Sequence, residues 1–134
     1  MFIPYWATVA ANPDHPEFTA GKIFTDTDKV VFSKSLDKSI WDKTVLASGE
    51  LADEINKLKE QEGKDIIVYG GATFVSALIK QGLIDEFHLF INPTAIGNGM
   101  TIFKDLNNIQ HLRLVKSQAF DCGIAVLNYQ LKRN

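Results

Sequence analysis

Between Lys29 and Phe90 short apolar runs alternate with helical repeats, and this alternation constrains the fold more than any other feature of the chain. Lys29-Val30-Val31-Phe32-Ser33 and Thr44-Val45-Leu46-Ala47 are short and β-branched, which predicts two strands. From Glu50 to Gln61, Leu51, Ile55 and Leu58 recur at helical spacing among charged residues, so an amphipathic helix is expected, stopping at Gly63. Asp65-Ile66-Ile67-Val68-Tyr69 is continuously apolar after its first residue and predicts a strand buried on both faces. A second helix is expected over Thr73 to Gln81, with Phe74, Val75, Leu78 and Ile79 inward and Gly82 as its stop. Asp85 to Asn92 returns to strand. Strand, helix, strand, helix, strand at this spacing implies parallel pairing through right-handed crossovers, the mark of an α/β sheet.

The remainder reads differently. His111 to Phe120 and Ile124 to Leu131 are two extended segments joined by Asp121-Cys122-Gly123, so the sheet is expected to end in an antiparallel hairpin. Asn92-Pro93-Thr94-Ala95-Ile96-Gly97-Asn98-Gly99 is a breaker-rich loop. Near the start, Asp14-His15-Pro16 can open a short helix reaching about Phe24. No repeat, low-complexity stretch or linker divides the sequence, which predicts a single domain over residues 1–134.

Composition narrows the partners. A net charge of −2, with lysines scattered singly, gives no broad field for nucleic acid or anionic lipid. The first six residues are apolar but too short for a signal peptide or a membrane span. Cys122 is the only cysteine, so no intrachain disulfide and no cysteine zinc site can form. These features predict a cytoplasmic protein.

The most informative motif is Tyr69-Gly70-Gly71-Ala72-Thr73-Phe74, where a strand is expected to hand over to a helix. Paired glycines let a ligand approach the backbone, and the first amides of a helix point outward unpaired. With the helix dipole they suit a pyrophosphate, and the Thr73 hydroxyl can add a donor. The same glycines equally suit a tight turn with no ligand. Ser33-Lys34-Ser35 follows the first strand and can hold a phosphate monoester, such as the 2′-phosphate of NADPH; a solvated polar turn is the alternative. Gly97-Asn98-Gly99 is either a loop that closes over a ligand or a turn. Asp85 and Glu86 are adjacent in a strand and point to opposite faces, which argues against a shared acid–base site. His15, His88 and His111 lack metal spacing, and His88 is expected to be half exposed. Trp6 and Trp41 are expected to be packing anchors, and Trp6 can line a pocket.

Taken together, Ile66-Ile67-Val68-Tyr69-Gly70-Gly71-Ala72-Thr73-Phe74, Leu78-Ile79 and Gly82-Leu83-Ile84-Asp85-Glu86 resemble the dihydrofolate reductase-like family. The branch is that of the reductase domain of the riboflavin-pathway deaminase-reductases. Asn92-Pro93 and Ile96-Gly97-Asn98-Gly99-Met100-Thr101-Ile102-Phe103 are similar to its Pro-x-x-Leu-Gly-x-Gly-x-x-Leu-Phe pattern. Lys29 to Leu36 looks like the strand before its adenosine-phosphate loop. The resemblance implies a three-layer αβα fold, mostly parallel and ending in an antiparallel hairpin, and usually a homodimer. It implies that Gly70, Gly71, Ala72, Thr73, Phe74 and Val75 face the NADPH pyrophosphate, and that Ser33, Lys34 and Ser35 face the 2′-phosphate. The implied activity is hydride transfer from NADPH to a small heterocyclic or imine-like substrate, akin to 5-amino-6-(5-phosphoribosylamino)uracil reductase and dihydrofolate reductase.

Two departures qualify the transfer. Where the riboflavin-pathway enzymes carry a substrate-binding glutamate before the glycine pair, this chain has Tyr69, which makes Tyr69 the candidate substrate contact. The family's opening strand and its Gly-Arg-x-Thr loop have no counterpart here, and Met1-Phe2-Ile3-Pro4-Tyr5-Trp6 resembles the helix just after that loop. The expectation is a fragment, or a sheet completed by another chain, and no catalytic residue is assigned. The alternative to an enzyme is a non-catalytic nucleotide-binding or interaction module that keeps the phosphate turn.

Overall fold

The computed structural model describes residues 2–104 and 106–132. They fall into two compact units that divide between Glu50 and Leu51.

The first unit holds α1 (Phe2–Ala10), α2 (Phe18–Asp26), β1 (Lys29–Phe32) and β2 (Thr44–Ala47). Pro4 sits in the first turn of α1, where its missing N–H costs nothing, and its carbonyl oxygen accepts from Thr8 Oγ1 at 3.1 Å. The two helices pack through Val9 and Gly21, both buried; a Cβ at Gly21 would stand 2.8 Å from the Ala10 nitrogen and from Val9 Cγ1. Phe24 completes an aromatic cluster, with ring centroids 4.5 Å from Trp6 and 5.2 Å from Phe2. Tyr5 donates to Glu17 Oε2 at 3.0 Å, and this bond to a carboxylate raises the phenol's pKa. α2 ends at Thr27, whose hydroxyl donates to the Ile23 carbonyl at 2.7 Å. Lys29 Nζ then donates to the carbonyls of Phe24, Thr25 and Thr27, placing a cation where the helix dipole favours one. β1 and β2, strands as their β-branched composition predicts, pair in parallel from Lys29↔Thr44 to Phe32↔Ala47.

The second unit holds α3 (Leu51–Lys59), α4 (Ala72–Lys80), β3 (Glu86–Ile91), β4 (Leu112–Ala119) and β5 (Ala125–Leu131). α3 buries Ile55, the centre of its apolar stripe, and α4 buries Leu78 and Ile79. At the end of α4, Gly82 adopts φ +66; its amide donates to the Ile79 carbonyl, and that of Leu83 to the Leu78 carbonyl. This paired arrangement closes the helix as the glycine predicts. The strands are ordered β3-β5-β4, all antiparallel, with an irregularity between Leu114 and Lys116. One face carries Phe87, Tyr129 and Leu114 in register, and the other Glu86, Gln130 and Arg113.

The α/β class, the parallel pairing and the antiparallel ending are all present. Asp65–Tyr69 departs from expectation. It joins no ladder among the described residues, and Ile66, Ile67 and Tyr69 are 54, 67 and 64% exposed. Parallel pairing is thus confined to β1 and β2. The physical reason is that a strand buried on both faces needs hydrogen-bonded neighbours along its edges, and an apolar run does not supply them. A smaller shift concerns α2, which begins at Phe18, two residues after the Asp14-His15-Pro16 expected to open it.

Candidate functional site

The glycine turn stands at the start of α4. Gly71 occupies the cap position with φ 22° and ψ 135°, its carbonyl accepting from the Val75 amide at 3.0 Å. No side chain caps the helix, and its first turn carries no acidic residue. The outward-facing amides of this turn are therefore not taken up by a serine, threonine or carboxylate cap. A Cβ built at Gly70 or Gly71 would meet nothing within 4 Å, so the approach to those amides is open. Thr73 is exposed on the same turn, while Ala72, Phe74 and Val75 are half-buried and root it in the unit. Tyr69 is exposed immediately before the glycines.

In the first unit, the loop after β1 is organised by Ser33. Its half-buried Oγ accepts from the amides of Ser35 at 3.2 Å and Leu36 at 3.1 Å, and lies 3.4 Å from Ser35 Oγ. The hydroxyl thus shapes the loop, a role its sequence did not announce, and Lys34 and Ser35 are exposed on it, as is Leu36. Lys34 makes no ion pair among the described residues. Trp6 does line a cavity, of about 270 Å³, shared with Phe2, Phe24, Lys29 and Trp41. None of Ser33, Lys34 or Ser35 lines it.

Asp85 and Glu86 serve different partners. Asp85 pairs with Lys59 at 2.5 Å. Glu86 instead accepts from Asn128 Nδ2 at 2.9 Å and Gln130 Nε2 at 3.2 Å, and pairs with His88 Nε2 at 2.8 Å. These bonds, the one from Gln130 foremost, hold the Glu86 carboxyl below its usual range. His88 is half exposed, as its place in an alternating strand predicts. Among the described residues no three histidine, cysteine or acidic side chains gather to hold a metal, and no helix is long and apolar enough to cross a membrane. Gly97 adopts φ +69 in the breaker-rich loop, whose residues 92–100 are all exposed.

A residue that sequence reasoning passed over is Ser76. It is 8% exposed, and its hydroxyl donates to the Ile102 carbonyl at 2.8 Å. Its apolar neighbours gave no signal beyond a helix interior. A serine there is expected to bond back along its own helix, not to a distant loop.

Against known proteins, the model of the RibD C-terminal domain family matches residues 3–126. The uncharacterized protein YyaP of Bacillus subtilis (strain 168) is 34% identical over 108 residues, 81% of this chain and 57% of that protein. YwjB of the same organism, also uncharacterized, is 36% identical over 64 residues, 48% of this chain and 37% of YwjB. The chain thus spans little more than half the length of these relatives or less. Among crystal structures, a Shewanella sp. PV-4 protein named for riboflavin biosynthesis superposes with TM-score 0.70 and 21% identity, over 96% of this chain and 87% of its own. A pyrimidine reductase-like protein of Corynebacterium diphtheriae superposes with TM-score 0.57 and 18% identity, over 92% and 54%. At these identities the likeness to the two structures concerns the fold.

Proposed function

The chain belongs to the RibD C-terminal domain family, with its dihydrofolate-reductase-like α/β fold, and from that premise we propose that it is an NADPH-dependent reductase of a small heterocyclic or imine-like substrate. The observation that carries this reading is the open, uncapped N-terminal turn of α4 behind Gly70 and Gly71. Family membership supports a reductase-type chemistry, and the open turn supports a pyrophosphate site there.

The residues present suit the cofactor. Gly70 and Gly71 carry no side chain to obstruct the turn, and the amides of Ala72 and Thr73 lie in its first residues with the Thr73 hydroxyl beside them. Phosphate oxygens held there are stabilised by the positive end of the helix dipole. Lys34 and Ser35 offer an exposed ammonium and hydroxyl for a 2′-phosphate, on a loop that Ser33 holds in shape. NADPH, when bound, supplies a hydride to an electron-poor carbon. The protein's part is to orient the two reactants and keep water from between them. Tyr69, exposed next to the turn, is the proposed substrate contact.

Tyr69 also favours a second reading. A phenol where the related reductases place a glutamate removes a carboxylate from the substrate side, and suits a nucleotide-binding module without turnover. The homodimer that the resemblance implies remains part of the main proposal, and sedimentation equilibrium of the purified chain tests it.

The deciding experiment is a titration with NADPH and, in parallel, NADH, followed by tryptophan fluorescence and by a screen for substrate-dependent NADPH oxidation. The reductase reading expects saturable binding that prefers NADPH, together with turnover of a heterocyclic or imine-like compound. Binding without turnover across the screen supports the module. A folded protein that binds neither dinucleotide sinks both.

A further inference from the structure

The face of the β3-β5-β4 sheet opposite Phe87 is polar, ordered and open to solvent. Glu86 of β3, Gln130 of β5 and Arg113 of β4 stand in one cross-strand row, and hydrogen bonds through Gln130 join all three side chains. The next row is His88, Asn128 and Lys116, and the third is Phe90, Val126 and Gln118. In every row the residues of the two outer strands are exposed, and the one on β5 is half-buried between them.

Charge on this face is divided by strand. β3 brings the carboxylate of Glu86 to one edge, and β4 brings Arg113 and Lys116 to the other. An acidic partner laid across the face meets Glu86, and a basic one meets Arg113 and Lys116. A second copy of the face avoids both conflicts. Because β5 is the middle strand, a two-fold axis running along it turns β3 of one copy onto β4 of the other and keeps each row opposite itself.

We propose that this face is the interface of a homodimer, with Glu86 of each copy paired to Arg113 of the other. The inference rests on the homodimer reading above and gives it a surface. Both groups have bonding capacity left. Glu86 Oε1 accepts from His88 and Asn128, but Oε2 accepts from Gln130 alone and can take a guanidinium N–H as well. Arg113 gives one N–H to Gln130 Oε1 and has others for a carboxylate. In the second row, His88 with its Nε2 proton on Glu86 presents Nδ1 as an acceptor to Lys116 of the other copy. In the third, Phe90, 65% exposed, loses water against Val126 near the axis and the methylenes of Gln118. Three strands about 4.8 Å apart and roughly 20 Å long make a small interface, so the dimer is expected to form at micromolar concentration and to weaken with salt.

The test is sedimentation equilibrium of the unaltered chain and of two charge reversals. Glu86→Arg alone sets like charges together at both ion pairs, and so does Arg113→Glu alone. Each is expected to raise the dimer dissociation constant by about tenfold or more. An equimolar mixture of the two variants places opposite charges at both pairs and should recover association to within a few-fold of the unaltered chain. Damage to the sheet within one chain gives no such recovery. If both variants are folded and their mixture stays monomeric, the ion pairing is overturned. Unchanged dissociation constants in both variants overturn the surface and leave the homodimer standing, whereas an unaltered chain that is monomeric at every concentration overturns both. Phe90→Ser alters the third row without touching charge, and should weaken the dimer by roughly fivefold. An unchanged constant there overturns the face even if a charge reversal fails to fold. The NADPH titration tests the reductase reading separately.

Discussion

Glu86 of β3 accepts a 2.9 Å hydrogen bond from Asn128 of β5, a residue 42 positions later in the chain. Gln130 donates to the other carboxylate oxygen, and its own Oε1 accepts from Arg113 of β4 at 2.6 Å, so one carboxylate begins a chain of contacts across three strands. Because the folded state depresses the Glu86 pKa from its ordinary 4.5, the folded state binds this proton less readily than the unfolded chain. The resulting stabilisation is present above the unfolded pKa and is lost as pH falls through the folded one. Thermal melts at neutral pH and at about pH 3 should show a larger drop in Tm for the unaltered protein than for Glu86→Gln. The difference is expected to be modest, since the group is exposed to solvent screening. Equal drops in the two proteins would remove Glu86 from the acid response.

Gly71 separates the demands of fold and ligand. Its φ of +22° is one an L side chain adopts with strain, yet a Cβ there would touch nothing within 4 Å. Gly71→Val is therefore expected to cost about 1–2 kcal/mol in stability. Its NADPH affinity should fall by more than about tenfold, because the branched side chain projects where the phosphates approach. Gly63→Ala is the control, since a Cβ there also meets nothing and the residue lies outside the proposed site. Fluorescence titrations of the two variants make the comparison.

Gly21 has no such room. A methyl group would stand 2.8 Å from the Ala10 backbone nitrogen and 2.8 Å from Val9 Cγ1, so α1 and α2 must separate to admit it. Gly21→Ala should lower stability by about 1–3 kcal/mol, net of the gain in helix propensity. Urea denaturation measures it. A neutral or stabilising result would contradict the close helix packing.

Ile79 is fully buried on α4, beside Leu78 at 2% exposure. Ile79→Ala should cost about 2–5 kcal/mol, partly through the cavity left behind. Denaturant melts should show a lower midpoint with little change in slope, since the surface exposed on unfolding barely changes.

Much of the fold was legible before any coordinates. The stripe of Leu51, Ile55 and Leu58 announced α3, Gly82 announced the end of α4, and Asp121-Cys122-Gly123 announced the β4–β5 hairpin. Each is a local signal, written within a few residues by side-chain periodicity or by a glycine's freedom. The ordered glycine motifs likewise carried the family resemblance, which the match over residues 3–126 supports.

Asp65–Tyr69 shows the limit of such signals. Its apolar run specifies that side chains prefer burial, but a ladder requires a neighbouring backbone in register, and the segment joins no ladder among the described residues. Ser76 shows the converse. Nothing local distinguishes a serine that faces water from one whose hydroxyl meets the Ile102 carbonyl 26 residues away. The sequence by itself determined where the chain bends, coils and extends, because those choices turn on neighbours within one or two turns. The tertiary structure alone decided which strands pair and which polar atoms meet, because a hydrogen bond depends on where distant backbone comes to rest.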